Sequence, residues 1–199
     1  HPSAQLAAMS APLALLGTSA DPPTLGHQAL LQELLQRYPQ VVTWASDNPH
    51  KQHGATLAQR AQLLSALVEQ LNNPGLEHVQ ELSSPWAITT LERAARRWPG
   101  SELTFVVGSD LLAQIPGWKQ VEQVLQRCRL VLVPRAGWPL DHQALETLER
   151  LGGQVSVLNL PIPATASSRL RQSPDAAQIP ASVWPLLHEH NLYGLGSLS

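Results

Sequence analysis

The sequence is short of several things at once. It has a single cysteine, Cys128, so it can close no disulfide within the chain and build no cysteine-based zinc site. Charged residues fill only 14% of the 199 positions, and lysine occurs just twice, at Lys51 and Lys119. With 13 Lys plus Arg against 15 Asp plus Glu, the formal charge is −2. A broad basic face for DNA or RNA needs many phosphate-neutralising side chains, so nucleic acid is not an expected partner. No apolar run approaches the roughly 18 residues that a membrane span needs. No basic segment precedes a long apolar run, as it would in a signal peptide. The expectation is a cytoplasmic protein with no membrane partner.

What is present is apolar material. Hydrophobic residues make up 43% of the chain, enough at this length for one sizeable core and too much for disorder. The length predicts about one domain. Residues 1–11 are expected to be an N-terminal extension or a cloning remnant; if a remnant, it covers residues 1–8 and the native start is Met9. Residues 12–195 form the expected domain and 196–199 a tail.

Short apolar runs alternate with helical patterns. Strands are predicted at Pro12–Gly17, Val41–Ser46, His78–Leu82, Leu103–Gly108, Leu130–Pro134 and Val155–Leu158. Helices are predicted at Leu25–Tyr38, Thr56–Leu71, Thr89–Trp98, Lys119–Gln126, Asp141–Leu151, Ser168–Gln172 and Ser182–Asn191. Thr56 and Gln59 form a capping box for the second of these. The alternation predicts an α/β fold: a Rossmann-like, doubly wound parallel sheet of five to six strands. Ligands of such sheets bind beyond the carboxyl ends of the strands, at a topological switch point. Functional residues are therefore sought just after the strands.

After the first strand comes Gly17-Thr18-Ser19-Ala20-Asp21-Pro22-Pro23-Thr24-Leu25-Gly26-His27. It is neither a P-loop nor G-x-G-x-x-G. It is still a small-residue turn entering a helix, whose free N–H groups and dipole suit an anion. Gly26 permits close backbone approach, and Thr24 and His27 share the first helical turn. Taken alone, a capping threonine and a solvated histidine account for that pair better than a ligand does.

The fuller string resembles the (H/T)-x-G-H signature of the nucleotidylyltransferase superfamily, in the G-G-x-F-D-P-x-H-x-G-H form of nicotinate-nucleotide adenylyltransferases. Asp21-Pro22 and Gly26-His27 match; Thr24 stands at the first His, Thr18 at the second Gly and Ala20 at the Phe. Phe105-Val106-Val107-Gly108-Ser109-Asp110 with Pro116-Gly117-Trp118 is similar to the family's strand-G-x-D and P-x-W segments. Arg135-Ala136-Gly137-Trp138-Pro139 resembles its R-x-G-x-P turn. Ser167-Ser168-Arg169-Leu170-Arg171 resembles S-T-x-I-R. Asp47 to Lys51 is similar to its P-P-H-K loop, about two residues shorter, and Arg60 aligns with a helix arginine. Pro85-Trp86-Ala87-Ile88-Thr89-Thr90 resembles S-Y-T-x-x-T, with Trp86 for Tyr and Ala87 for Thr.

The resemblance implies transfer of AMP from ATP to nicotinate mononucleotide, giving the deamido dinucleotide and pyrophosphate. The attacking phosphate is already an anion, so alignment and charge stabilisation suffice, with no covalent enzyme intermediate. It implies catalytic roles for His27, Thr24 and Arg171. It implies ATP binding by Gly17, Thr18, Ser19, Gly26, Gly108, Asp110, Ser167 and Ser168. It implies mononucleotide binding by Lys51, Trp86, Thr90, Trp118 and Arg135. Mg²⁺ is expected through the ATP phosphates, with no metal site built by the protein. Loss of the Lys51 charge is expected to weaken substrate binding, and loss of the Lys119 charge to be nearly silent for catalysis.

Three alternatives stand beside this reading. The acceptor is nicotinamide mononucleotide or another phosphorylated compound; the chain is a nucleotide-binding homologue without catalysis; or it is a lipid-head or pantetheine-type transferase of the same superfamily. Read as residues alone, Asp110 caps a helix, Trp118 packs in the core, Arg135 is a surface charge, and Ser167 and Ser168 cap a surface helix. Cys128 reads as core, and the pairs His50/His53 and His188/His190 as solvated rather than metal-binding. Self-association is left open.

Overall fold

A computed structural model describes residues 11–48, 51–163 and 167–195, with residues 167–169 as backbone alone. The expected extension and tail lie almost wholly outside it. The elements run β1 (Pro12–Thr18), α1 (Leu25–Arg37), β2 (Gln40–Ala45), α2 (Leu57–Leu71), β3 (Leu76–His78), α3 (Ala87–Arg97), β4 (Glu102–Gly108), α4 (Val121–Arg127), β5 (Arg129–Val133), α5 (His142–Arg150), β6 (Val155–Val157), α6 (Ser167–Gln172) and α7 (Trp184–Glu189). Short 3-10 turns cover Gln80–Leu82, Ser109–Gly117, Ala176–Gln178 and Leu192–Gly194.

The six strands form one parallel sheet in the order β3-β2-β1-β4-β5-β6. The chain runs outward from β1 to β3, then returns to β4 on the other side of β1. That reversal makes the crevice between the carboxyl ends of β1 and β4 the place where loops diverge and a ligand fits.

Alternate strand residues face opposite layers. Leu13, Leu15, Trp44, Phe105, Val107, Leu130 and Leu132 pack with Leu91 and Ala94 of α3, Val124 of α4 and Leu148 of α5. Ala14, Leu16, Val41, Ala45, Val106 and Val133 pack with Leu31 and Leu34 of α1, Leu63, Leu64 and Leu67 of α2 and Leu187 of α7. Both faces are covered, which is why the strands read as continuous apolar runs. The Thr56 capping box is formed: Gln59 N–H donates to Thr56 Oγ1 at 3.1 Å, and Thr56 N–H to Gln59 Oε1 at 3.0 Å.

The third strand departs from expectation. It occupies Leu76–His78, and Gln80–Leu82 coils into a 3-10 turn. The Gln80 carboxamide takes over the pairing, accepting from Ala45 N–H at 2.9 Å and donating to Ala45 O at 2.8 Å. A side chain thus stands in for the backbone of a longer strand. The short helix expected after β4 is a 3-10 turn over Ser109–Gly117 that starts from Gly108, so Asp110 lies in its first turn and does not cap it. Among the described residues no helix is long and apolar enough to cross a membrane.

Candidate active site

The first wall of the crevice is the segment leaving β1. A methyl group on Gly17 would come 2.8 Å from Trp44 Nε1, so glycine here lets the indole lie against the strand end. Ala20 turns the chain with a left-handed φ of 49°. Thr24 then caps α1, and its N3 position is His27. His27 N–H donates to Thr24 Oγ1 at 3.4 Å, and the His27 ring folds back so that Nδ1 accepts the Thr24 N–H at 2.9 Å. This is a capping box with an imidazole where Glu or Gln usually stands.

The box fixes the chemistry of the ring. An Nδ1 that accepts a backbone N–H carries no proton, so the neutral ring holds its proton at Nε2. Burial, aided by Arg135 and then Lys51, pushes His27 down to about 4. At neutral pH the residue is an uncharged N–H donor, oriented by its own helix. Thr24 is itself buried, with Oγ1 3.0 Å from His27 Nδ1, so it enters the site through the histidine. Gly26 is buried in the first turn of the same helix.

The second wall follows β4. A methyl group on Gly108 would lie 2.5 Å from Asp110 Oδ1, so glycine is what lets the Asp110 carboxylate fold back over the strand end. Arg135 Nη1 donates to Asp110 Oδ2 at 3.2 Å, and Lys51 Nζ lies 3.9 Å from the same oxygen. Ser109 pins the turn that carries the arginine: its hydroxyl donates to Trp138 O and accepts Arg135 N–H, both at 2.8 Å. Lys51, Asp110 and Arg135, far apart in sequence, therefore meet beside His27.

Beneath the first wall sits a network in which sequence reading gave Asp21, Arg60 and Tyr193 no role. Asp21 is fully buried, and its carboxylate accepts Gly54 N–H at 2.8 Å and Ala55 N–H at 3.2 Å. The Tyr193 hydroxyl donates to the same carboxylate. Arg171 Nη1 donates to Asp21 O at 3.3 Å and lies 3.7 Å from Oδ2. Arg60, only 2% exposed, donates Nη1 to Ser19 O and Ser46 O at 2.8 Å, and Nε to Ala55 O at 3.2 Å. It holds three loop carbonyls rather than standing in the crevice.

At the far end, Trp118 meets Phe105 edge-on at 6.0 Å, and Phe105 meets Trp44 at 6.2 Å. Trp86 is 47% exposed, with Lys119 Nζ 5.1 Å above its ring. Thr90 is buried and donates its hydroxyl to Leu82 O at 2.6 Å, supporting the turn beneath Trp86. The side chains of Ser167 and Ser168 lie outside the described residues, as does His50. Cys128 is core; burial raises its thiol to about 12.

The crevice thus offers a neutral N–H donor, three cationic side chains and one carboxylate held between two of them. That set is chemically suited to bind and polarise an anion. Among the described residues no three His, Cys, Asp or Glu converge as a metal site would require.

Comparison with known proteins agrees with this reading. The sequence profile described as cytidylyltransferase-like matches residues 15–173. A probable nicotinate-nucleotide adenylyltransferase of Synechocystis sp. is 37% identical over 196 residues, covering 91% of this chain and 98% of that protein. A relative of the same description from Carboxydothermus hydrogenoformans is 28% identical over 197 residues, covering 92% and 98%. Among solved structures, Plasmodium falciparum nicotinic acid mononucleotide adenylyltransferase complexed with NaAD superposes with a TM-score of 0.72. It covers 94% of this chain and 98% of that one at 17% identity, a likeness of fold.

Proposed function

Because the chain belongs to the cytidylyltransferase-like family, and within it to the nicotinate-nucleotide adenylyltransferases, we propose that it transfers AMP from ATP to nicotinate mononucleotide. An oxygen of the mononucleotide 5′-phosphate forms a bond to the α-phosphorus as the bond to the β-phosphate bridge breaks. Pyrophosphate and the deamido dinucleotide leave. Both substrates are soluble metabolites, and we put the enzyme in the cytoplasm.

The observation that carries the reading is the His27 ring, fixed by Thr24 N–H at 2.9 Å at the mouth of the β1–β4 crevice. Its Nε2–H donates to an α-phosphate oxygen and stabilises charge in the pentacoordinate transition state. Arg171, with Ser167 and Ser168, takes the β- and γ-phosphates; guanidinium geometry matches their oxygens. Gly17, Thr18, Ser19 and Gly26 bring backbone close to the nucleotide, and Gly108 with Asp110 receives its ribose. Lys51, Arg135, Trp86 and Trp118 line the mononucleotide end. Mg²⁺ would supply charge neutralisation and would be held mainly by the ATP phosphates, since Asp110, the carboxylate in the crevice, is already paired with Arg135 and Lys51.

The test is pyrophosphate release from ATP across acid, amide and other phosphorylated acceptors. Release with the acid mononucleotide is expected. Release only with another acceptor, or ATP binding without release, overturns the assignment. His27→Ala is expected to lose about 10²-fold or more in kcat, as loss of a charge-stabilising donor does.

A further inference from the structure

We propose that Tyr193 is a positioning residue: by satisfying the buried Asp21 carboxylate, it keeps Arg171 available to the ATP phosphates. The geometry stands by itself, and the proposed adenylyl transfer supplies only the identity of the anion.

A carboxylate with no exposure must have its lone pairs satisfied by donors. Asp21 Oδ2 takes Gly54 N–H, and Oδ1 takes Ala55 N–H and the Tyr193 hydroxyl. With those donors in place, Arg171 stands off at 3.7 Å from Oδ2 and bonds only the Asp21 carbonyl, at 3.3 Å. It is attracted but not locked. Its side chain is 30% exposed, and no further hydrogen bond to its guanidinium occurs among the described residues. A guanidinium offers five N–H donors in a planar fork, so most remain for phosphate oxygens.

The tyrosine is built into this place. A methyl group on Gly54 would come 2.8 Å from Tyr193 Cε1 and 3.2 Å from Arg171 Cδ, so ring and arginine stem converge over one glycine. Tyr193 holds a left-handed φ of 55°, which bulky side chains rarely adopt. Such a conformation persists where surrounding contacts over-determine it, and it is common at functional sites. Burial and the Asp21 bond raise the phenol above its ordinary value, so it remains a protonated donor.

Without the hydroxyl, Asp21 Oδ1 keeps only the longer Ala55 bond. The under-satisfied carboxylate then draws the Arg171 guanidinium into a close pair and away from phosphate. Tyr193 therefore acts through Arg171, and a double-mutant cycle isolates this. ATP affinity is measured by calorimetry on wild type, Tyr193→Phe, Arg171→Ala and the double variant. Mononucleotide KM is followed in parallel.

Tyr193→Phe is expected to weaken ATP about tenfold, the scale of one charge-assisted hydrogen bond. Mononucleotide KM stays within about twofold, and the double variant binds ATP no worse than Arg171→Ala alone. Wild-type ATP affinity in Tyr193→Phe overturns the proposal, as does a double variant that loses the product of the two single effects. Should Tyr193→Phe not fold, Arg171→Lys decides. An ammonium keeps three donors but lacks the planar fork that lets one group hold the Asp21 carbonyl and an edge of phosphate together, so about tenfold weaker ATP binding is expected and wild-type affinity refutes the idea. If wild type binds ATP but releases pyrophosphate with no mononucleotide, the adenylyl-transfer reading fails while the cycle still judges Tyr193.

Discussion

His27 is bonded to the residue that caps its own helix: its Nδ1 accepts the Thr24 N–H at 2.9 Å. One contact ends the helix, chooses the tautomer and aims the remaining N–H into the crevice. Capping and the proposed catalytic role, which compete as explanations at the level of sequence, rest here on the same bond.

A pH dependence follows from that bond. His27 is held at about 4 in the folded chain against an ordinary 6.5. Between these values the unfolded chain takes up a proton that the folded chain refuses. Stability is therefore lost as pH falls through that window, and the loss levels off below about 4. Imidazole nitrogen shifts in NMR should show His27 as the neutral Nε2–H form at pH 6. An ordinary titration near 6.5 would contradict the geometry.

Gly108→Ala should damage the site more than the fold. The added methyl meets only the Asp110 carboxylate, at 2.5 Å, and no left-handed backbone is involved. The carboxylate must swing away from Arg135 and Lys51. We expect a substrate KM raised about tenfold, on the scale of a lost charged hydrogen bond. The melting temperature should shift little.

Arg60→Met should do the reverse. Three loop carbonyls lose their donor in a buried setting. The expected loss is about 3 kcal/mol of unfolding free energy in urea, within the range for a broken buried network. ATP affinity should fall only in step with the folded fraction.

The two lysines should separate by parameter. Lys51 approaches Asp110 at 3.9 Å beside His27, so Lys51→Ala should weaken substrate binding and lower kcat/KM. Lys119 lies over the exposed Trp86 ring at 5.1 Å, an interaction worth about 0.5–1 kcal/mol. Lys119→Ala should leave kcat unchanged and raise mononucleotide KM by a few-fold at most. A loss of kcat in that variant would refute this.

Strands β1, β2, β4 and β5 are legible because parallel strands buried on both faces are largely continuous apolar runs. The exception, β3, slipped because Gln80 replaces backbone pairing with its carboxamide, which periodicity does not register. The crevice walls were legible because Gly17 to His27 and Gly108 to Asp110 directly follow strands. The support beneath them was not, since Asp21 reaches Gly54 across 33 positions and Tyr193 reaches Asp21 across 172. Asp21 left a trace in the matched Asp21-Pro22 pair, and Arg60 left another. It interrupts the apolar stripe that continues through Leu63, Leu64 and Leu67, and a charge on a buried helix face needs buried partners.

The Tyr193–Asp21 hydrogen bond also sets an order of events in biosynthesis. Chains are made from the N-terminus, and domains fold as units as they emerge. The His27 loop and the whole sheet can assemble while residue 193 is still in the ribosome. Asp21, already buried, must wait for its hydroxyl donor, and Arg171 for its final placement. A nascent chain would thus carry a recognisable fold before Asp21 has its full set of donors, and the bond that completes that set would be among the last to close.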